Sequence, residues 1–122
     1  MLILETTRFS VWLNVGGSYP KMNYSYALVG GRDLAVGEAN GDGKLDVFIA
    51  RGPNEKYQHT MLINNGSGSS YHTMPLPVLT TGNGDTATTF KNWRNSGRDA
   101  FLVTNGIWGI TGPVQFITFS DE

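Results

Sequence analysis

Two stretches of this chain follow one pattern. Residues 38–52 read EANGDGKLDVFIARG and residues 92–106 read NWRNSGRDAFLVTNG. Aligned without gaps, Gly43 falls on Gly97, Gly52 on Gly106, Lys44 on Arg98, and Val47-Phe48-Ile49 on Phe101-Leu102-Val103, at an offset of 92 − 38 = 54 residues. Each copy is a polar, glycine-bearing turn that runs into a short apolar segment. A second echo precedes each copy: Leu13-Asn14-Val15-Gly16 and Ile63-Asn64-Asn65-Gly66, each followed shortly by Ser-Tyr. Gln115-Phe116-Ile117-Thr118-Phe119 reads as a third, truncated copy of the strand. Self-similarity at a period near 50 residues, with about four short strands per unit, is the signature of β-propeller blades.

Composition agrees with a strand-and-turn architecture. The chain has 122 residues, enough for one ordinary domain, of which 16 are glycine and only 16% are charged. Asn-Gly occurs at Asn40-Gly41, Asn65-Gly66, Asn83-Gly84 and Asn105-Gly106, and both residue types tolerate the positive φ of tight turns. Runs rich in β-branched and aromatic residues lie between them. They predict strands over 9–14, 26–29, 34–37, 47–51, 60–64, 86–90, 100–104 and 114–119. Val47-Phe48-Ile49-Ala50 and Phe101-Leu102-Val103 are continuously apolar, which predicts strands covered on both faces. The expected fold is therefore all-β: a single unit, 1–122, of about two antiparallel propeller blades. The approximate repeat cores are 9–52 and 60–106, with a partial third strand at 113–119. Two blades cannot close a ring, so the expectation is a piece of a larger propeller or copies that assemble. A small β-sandwich is the competing reading.

The segment with the most chemistry is Glu38-Ala39-Asn40-Gly41-Asp42-Gly43-Lys44-Leu45-Asp46. Oxygen-bearing side chains fall at Glu38, Asn40, Asp42 and Asp46. A loop that wraps a cation turns alternate residues inward, and calcium, a hard ion, takes six to eight oxygens at about 2.3–2.6 Å. Gly43 permits the sharp turn, and Lys44, at the next alternate position, would offer its backbone carbonyl. An EF-hand is excluded, because its twelfth loop position needs Glu and here holds Ile49. The plain alternative is a metal-free Asn-Gly-Asp-Gly turn, which leaves Glu38 and Asp46 without a purpose.

This loop and its flanks, Leu34-Ala35-Val36-Gly37 before and Val47-Phe48-Ile49-Ala50 after, resemble the FG-GAP and VCBS repeat family. That family carries a D-x-[DN]-x-D-G-x-x-D loop between two strands of a seven-bladed propeller. Leu62-Ile63-Asn64-Asn65-Gly66 is similar to a hairpin common downstream in those repeats. The resemblance covers roughly residues 34–103 and implies Ca2+ held by Glu38, Asn40, Asp42, Asp46 and the Lys44 carbonyl. Glu38 stands where the family usually has Asp. The second loop has Asn92, Arg94, Ser96 and Ala100 at the equivalent places. It is expected to be metal-free, with Arg94 filling the space and Asp99 pointing outward.

The function implied is a calcium-binding repeat module in adhesion or protein–protein binding, the ion being structural. The alternative is a carbohydrate-binding, lectin-like fragment that assembles into a ring. Its candidate contact is Trp108, the tryptophan expected to be most exposed; Trp12 and Trp93 would otherwise pack between blades. By resemblance the setting is extracellular or the cell surface, although the N-terminus is too short and too acidic for a signal peptide. A protein or glycan ligand is the expected partner, with further blades or further copies. Nucleic acid is disfavoured by a net charge of −1 without a basic cluster. Membrane insertion is disfavoured because no apolar run approaches ~20 residues. No enzyme is expected. The chain has no cysteine, no nucleophile elbow or phosphate loop is present, and His59 and His72 read as exposed loop residues. Ion ligation explains Glu38 and Asp42 better than a glycosidase pair does.

Overall fold

A computed structural model describes residues 1–52, 58–66, 70–74, 76, 84–92, 94, 97–105 and 114–119, without the side chains of 13–15, 18–21 and 85. Its elements are ten strands: β1 (Leu2–Leu4), β2 (Arg8–Val15), β3 (Ser18–Ala27), β4 (Gly31–Gly37), β5 (Asp46–Arg51), β6 (Thr60–Asn64), β7 (Tyr71–Met74), β8 (Gly84–Phe90), β9 (Ala100–Asn105) and β10 (Val114–Ile117). Among the described residues there is no α-helix, and no helix long and apolar enough to cross a membrane. Every pairing is antiparallel, so the all-β expectation holds. The strands form three sheets, in the orders β1-β2-β3, β4-β5-β6-β7 and β10-β9-β8. No barrel closes among the described strands.

Most of the expected strands are present within a residue or two. The exceptions have local causes. The expected strand at 26–29 captures only the tail of β3, which begins at Ser18. Pro20 and the polar residues of SYPKMNYSYA obscure the pattern, and proline is tolerated because β3 lies at a sheet edge. β1 and β7, of three and four residues, are too short to show a period. The expected core 9–52 spans most of the first sheet and the first half of the middle one. The expected core 60–106 spans the second half of the middle sheet and most of the third.

The middle sheet is covered on both faces, and β5 explains how. Successive side chains of a strand point to opposite faces. Val47 and Ile49, with Leu62 of β6, pack on Phe9, Val11 and Leu28 of the first-sheet region. Phe48 and Ala50, with Ala35, Met61 and Ile63, pack on Phe101, Val103, Ile117 and Phe119 of the third. Val47, Phe48, Ile49 and Ala50 are all buried, which is why that run is apolar without alternation. The Phe48 and Phe101 rings, 5.5 Å apart, mark the centre of the joint between the middle and third sheets. Burial of a Phe or Ile side chain contributes about 1.5–3 kcal/mol, so these two layers of contact, rather than any single bond, hold the sheets together.

At one end of that joint the backbone of Gly37 lies directly against side chains of the third-sheet region. A Cβ added at Gly37 would lie 2.8 Å from Asp99 Oδ2, 2.8 Å from Thr89 Cγ2 and 3.0 Å from Phe101 Cζ. A side chain there would strike all three, so glycine lets the end of β4 seat against Thr89 of β8, Phe101 of β9 and Asp99. This end of the joint carries both glycine-bearing loops.

Candidate metal site in the 38–46 loop

The loop connects β4 to β5 across a closed base, since Gly37 and Asp46 are direct antiparallel partners. The eight residues 38–45 must therefore leave and return to one point. Gly41 (φ 79°) and Gly43 (φ 82°) take the left-handed conformations that allow it. Asp46 is fully buried and acts as the anchor. Its Oδ2 accepts from the Ala39 N–H at 2.9 Å and its Oδ1 from the Asn64 N–H at 2.9 Å, tying the ends of β4, β5 and β6 together.

The other carboxylates fold in above it. Glu38 Oε1 accepts from the N–H groups of Gly41 (2.8 Å) and Asp42 (3.2 Å). The longer side chain thus bends back over its own loop. Asp42 Oδ1 accepts from the Lys44 N–H at 2.9 Å, and Asn40 Nδ2 donates to Asp42 Oδ2 at 3.3 Å. As a result one carboxylate oxygen each of Glu38, Asp42 and Asp46 lies within 4.8 Å of the others. Oxygens around one calcium ion at about 2.3–2.6 Å are separated by no more than about 5 Å, so the spacing suits a shared cation. Asn40 joins the group through its bond to Asp42. Lys44 joins it through its backbone N–H, and its ammonium lies near the Gly66 turn.

The electrostatics are uneven. Burial pushes the Asp46 carboxyl above its usual range, and the Asp42 charge adds to the push against the two N–H bonds. The exposed Asp42 carboxyl is held below its usual range, first by the Lys44 N–H. Among the described residues no ammonium or guanidinium forms an ion pair with Asp46.

The second loop departs from expectation. Its base is Phe90–Ala100, so it holds nine residues, 91–99, one more than the first. Asp99 does not point outward. It is buried, accepting from the Asn92 N–H (2.7 Å), the Glu38 N–H (2.8 Å) and Lys91 Nζ (2.9 Å). A gapless alignment hides this, because the extra residue puts Asp99 into the place that Asp46 holds in the first loop. Both aspartates accept the N–H seven residues upstream. Burial is the largest single influence on Asp99, but the bonds from Asn92, Glu38 and Lys91 together outweigh it and hold its carboxyl below the usual range. Arg94, expected to fill this loop, is exposed with φ 55°. The guanidinium that bridges the two loops belongs to Arg98, whose Nη1 donates to the Ala39 carbonyl at 3.0 Å.

His59 also differs from its expected place on an exposed loop. It is buried: its Nδ1 accepts from the Arg51 N–H at 3.0 Å, and its Nε2 lies 2.8 Å from Asn105 Oδ1. Burial depresses its pKa, with the Arg51 charge adding to the effect. It links the middle and third sheets through the end of β9, and no residue near it in sequence signals that. Trp108, the expected ligand contact, lies outside the described residues, as do Trp93 and Ser96.

Comparisons of the chain with protein-family models, with curated proteins and with solved structures give no match in any of the three.

Proposed function

We propose that this chain is a calcium-binding β-propeller repeat module, in which the ion is structural and the module serves adhesion or protein–protein binding. The observation that carries the reading is the convergence of Glu38, Asp42 and Asp46 oxygens within 4.8 Å on a loop whose base is closed by strand pairing. The fold supports it, since three antiparallel sheets stacked face to face are what consecutive blades require. Calcium would be held by Glu38, Asn40, Asp42 and Asp46, with the Lys44 carbonyl, and would neutralise the buried carboxylate of Asp46. An ion that binds only the folded chain stabilises it by mass action. Binding in this reading is a property of the scaffold, and the ligand of the module is a protein or glycan met outside the cell.

Calorimetric titration of the chelator-treated protein with CaCl2, and then with MgCl2, tests the site. The reading expects one calcium per chain and weaker magnesium binding, because magnesium demands a near-ideal octahedron and sheds water reluctantly. Absence of calcium heat at millimolar ion, with the protein folded, contradicts it.

A further inference from the structure

The Asn-Gly pairs turn the chain, but they also carry a latent reaction. Each sets a carboxamide carbon one residue before a backbone nitrogen that no neighbouring Cβ shields. That nitrogen can attack the side chain and expel ammonia. Asn40-Gly41 and Asn65-Gly66 are described at both residues, and the structure surrounds them differently. Asn105 is buried, and Asn83 and Gly106 lie outside the described residues.

At Asn40 the groups that the attack needs are in place. The Gly41 N–H donates to Glu38 Oε1 at 2.8 Å, so a carboxylate already holds the proton that must leave the nitrogen. The Asp42 N–H points at Asn40 Oδ1 from 3.4 Å, where negative charge collects as the new bond forms. The Arg98 guanidinium stands beside Gly41: a Cβ there would lie 3.7 Å from its Nε and 3.9 Å from its Nη2. A base, an oxyanion donor and a cation around one reacting pair are the elements of general-base and electrostatic catalysis. The carboxamide itself is loosely held, by bonds of 3.3 and 3.4 Å to Asp42, long for hydrogen bonds.

At Asn65 the same pair is tied down. Its Nδ2 donates to Ser70 Oγ at 3.0 Å, and its Oδ1 lies 2.5 Å from His72 Nδ1, both across the hairpin. The Gly66 N–H donates to Asn64 Oδ1 at 2.8 Å, an amide oxygen, which is a far weaker base than a carboxylate. Asn65 is nevertheless the more exposed of the two asparagines, so exposure alone predicts the opposite order of reactivity.

We propose that Asn40 is a self-deamidation site in which Glu38 is the general base. The Gly41 nitrogen gives its proton to Glu38 and bonds to Asn40 Cγ. The Cγ–Nδ2 bond then breaks, and Nδ2 leaves as ammonia with the proton that Glu38 returns. The cyclic imide so formed adds one water, which opens it at either carbonyl to aspartate or isoaspartate. Nothing is oxidised or reduced. In the function proposed above, conversion alters the ion site, and this consequence alone rests on that reading. Aspartate at position 40 adds a carboxylate to those of Glu38, Asp42 and Asp46, and ligand charge tunes calcium affinity. Isoaspartate runs the backbone through the side-chain carbon, which lengthens the loop and displaces its alternate positions.

Peptide mapping by mass spectrometry, during incubation at neutral pH in EGTA, follows each asparagine by the mass gain of amide-to-acid exchange. Asn40 should convert at least about tenfold faster than Asn65, general-base catalysis being worth that much or more. Glu38→Gln keeps an acceptor for the Gly41 N–H and loses the base. It should slow Asn40 by at least about tenfold while Asn65 keeps its rate. In concentrated urea, with the fold gone, the two sites should convert at similar rates and Glu38→Gln should change neither. Asn65 converting as fast as Asn40 in the folded chain overturns the proposal. So does an Asn40 rate untouched by Glu38→Gln, or the same preference for Asn40 in urea. The comparison of two sites within the wild-type chain stands even where Glu38→Gln disturbs the loop. Every rate is read without calcium, so failure here is separate from failure of the metal site.

Discussion

The loops 38–45 and 91–99 are built on one plan and solve one electrostatic problem in two ways. Each closes on a buried aspartate, Asp46 or Asp99, that accepts the N–H seven residues before it. Around Asp99 the chain supplies its own cation, Lys91 Nζ at 2.9 Å, and the carboxyl is pulled below its usual range. Around Asp46 the chain supplies two further carboxylates instead, and the carboxyl is pushed up. A buried charge needs a compensating partner. The second loop carries one covalently; in the function we propose, the first takes one from solution. The pair teaches that the 38–45 loop is a variation on a closing aspartate, and that the difference lies in the sign of the charge placed over it.

The largest way to break the comparison is to remove the anchor of the first loop. Asp46→Ala strips the acceptor from the Ala39 and Asn64 N–H groups in a buried position. The expected cost is about 3–5 kcal/mol, since each orphaned buried donor costs about 1–3 kcal/mol, read from denaturant unfolding in EGTA. A loss below about 1 kcal/mol would mean that Asp46 does not hold the three strand ends.

Titration separates the loops next. A carboxyl whose folded pKa is lowered, such as Asp99, contributes stability that is present above its unfolded pKa and is lost as pH falls through that range. A carboxyl whose folded pKa is raised, such as Asp46, does the opposite: it penalises the folded state as pH rises past its unfolded value. In EGTA the cost of Asp99→Asn should therefore shrink between about pH 5 and pH 3, and that of Asp46→Asn should grow as pH is lowered toward the unfolded carboxyl range. A tenfold difference in proton affinity between the folded and unfolded chain corresponds to about 1.4 kcal/mol. Equal slopes for the two variants would erase the distinction between the loops.

The smallest effect lies at the far end of the same joint. Burial lowers the His59 pKa, so the unfolded chain takes up this proton at a higher pH than the folded chain does. Stability should fall as pH drops through about 6.5, the unfolded value. A His59→Gln variant should lack that part of the slope, and an unchanged slope would show that the buried ring is not its source.

How much of this is legible in the sequence follows from where each signal resides. The Glu38–Asp46 loop is local, so residue spacing alone brings three carboxylates together, and the apolar run 47–50 announces a central strand. The all-β class follows from turn chemistry. Three things are not legible. Strands of three and four residues, β1 and β7, have no measurable period. Asp99 needs a one-residue gap in the repeat, and its signal is that both apolar strands are preceded by an aspartate. The partners of His59 and Arg98 come from a neighbouring sheet, 46 and 59 residues away in sequence, and no local pattern encodes such a contact.

The central claim is that the first loop takes its missing positive charge from solution, and one measurement addresses it most directly: thermal unfolding in saturating calcium and in EGTA, for the wild type and for Asp42→Ala. At a free ion concentration of about 100 times Kd the gain is about 2.7 kcal/mol, which for a chain of this length is on the order of 10 °C. The account predicts that shift in the wild type and its loss in Asp42→Ala, with the two proteins melting close together in EGTA because Asp42 is exposed and anchors no strand. Equal melting temperatures with and without calcium in the wild type would contradict it and leave Glu38–Asp46 a turn.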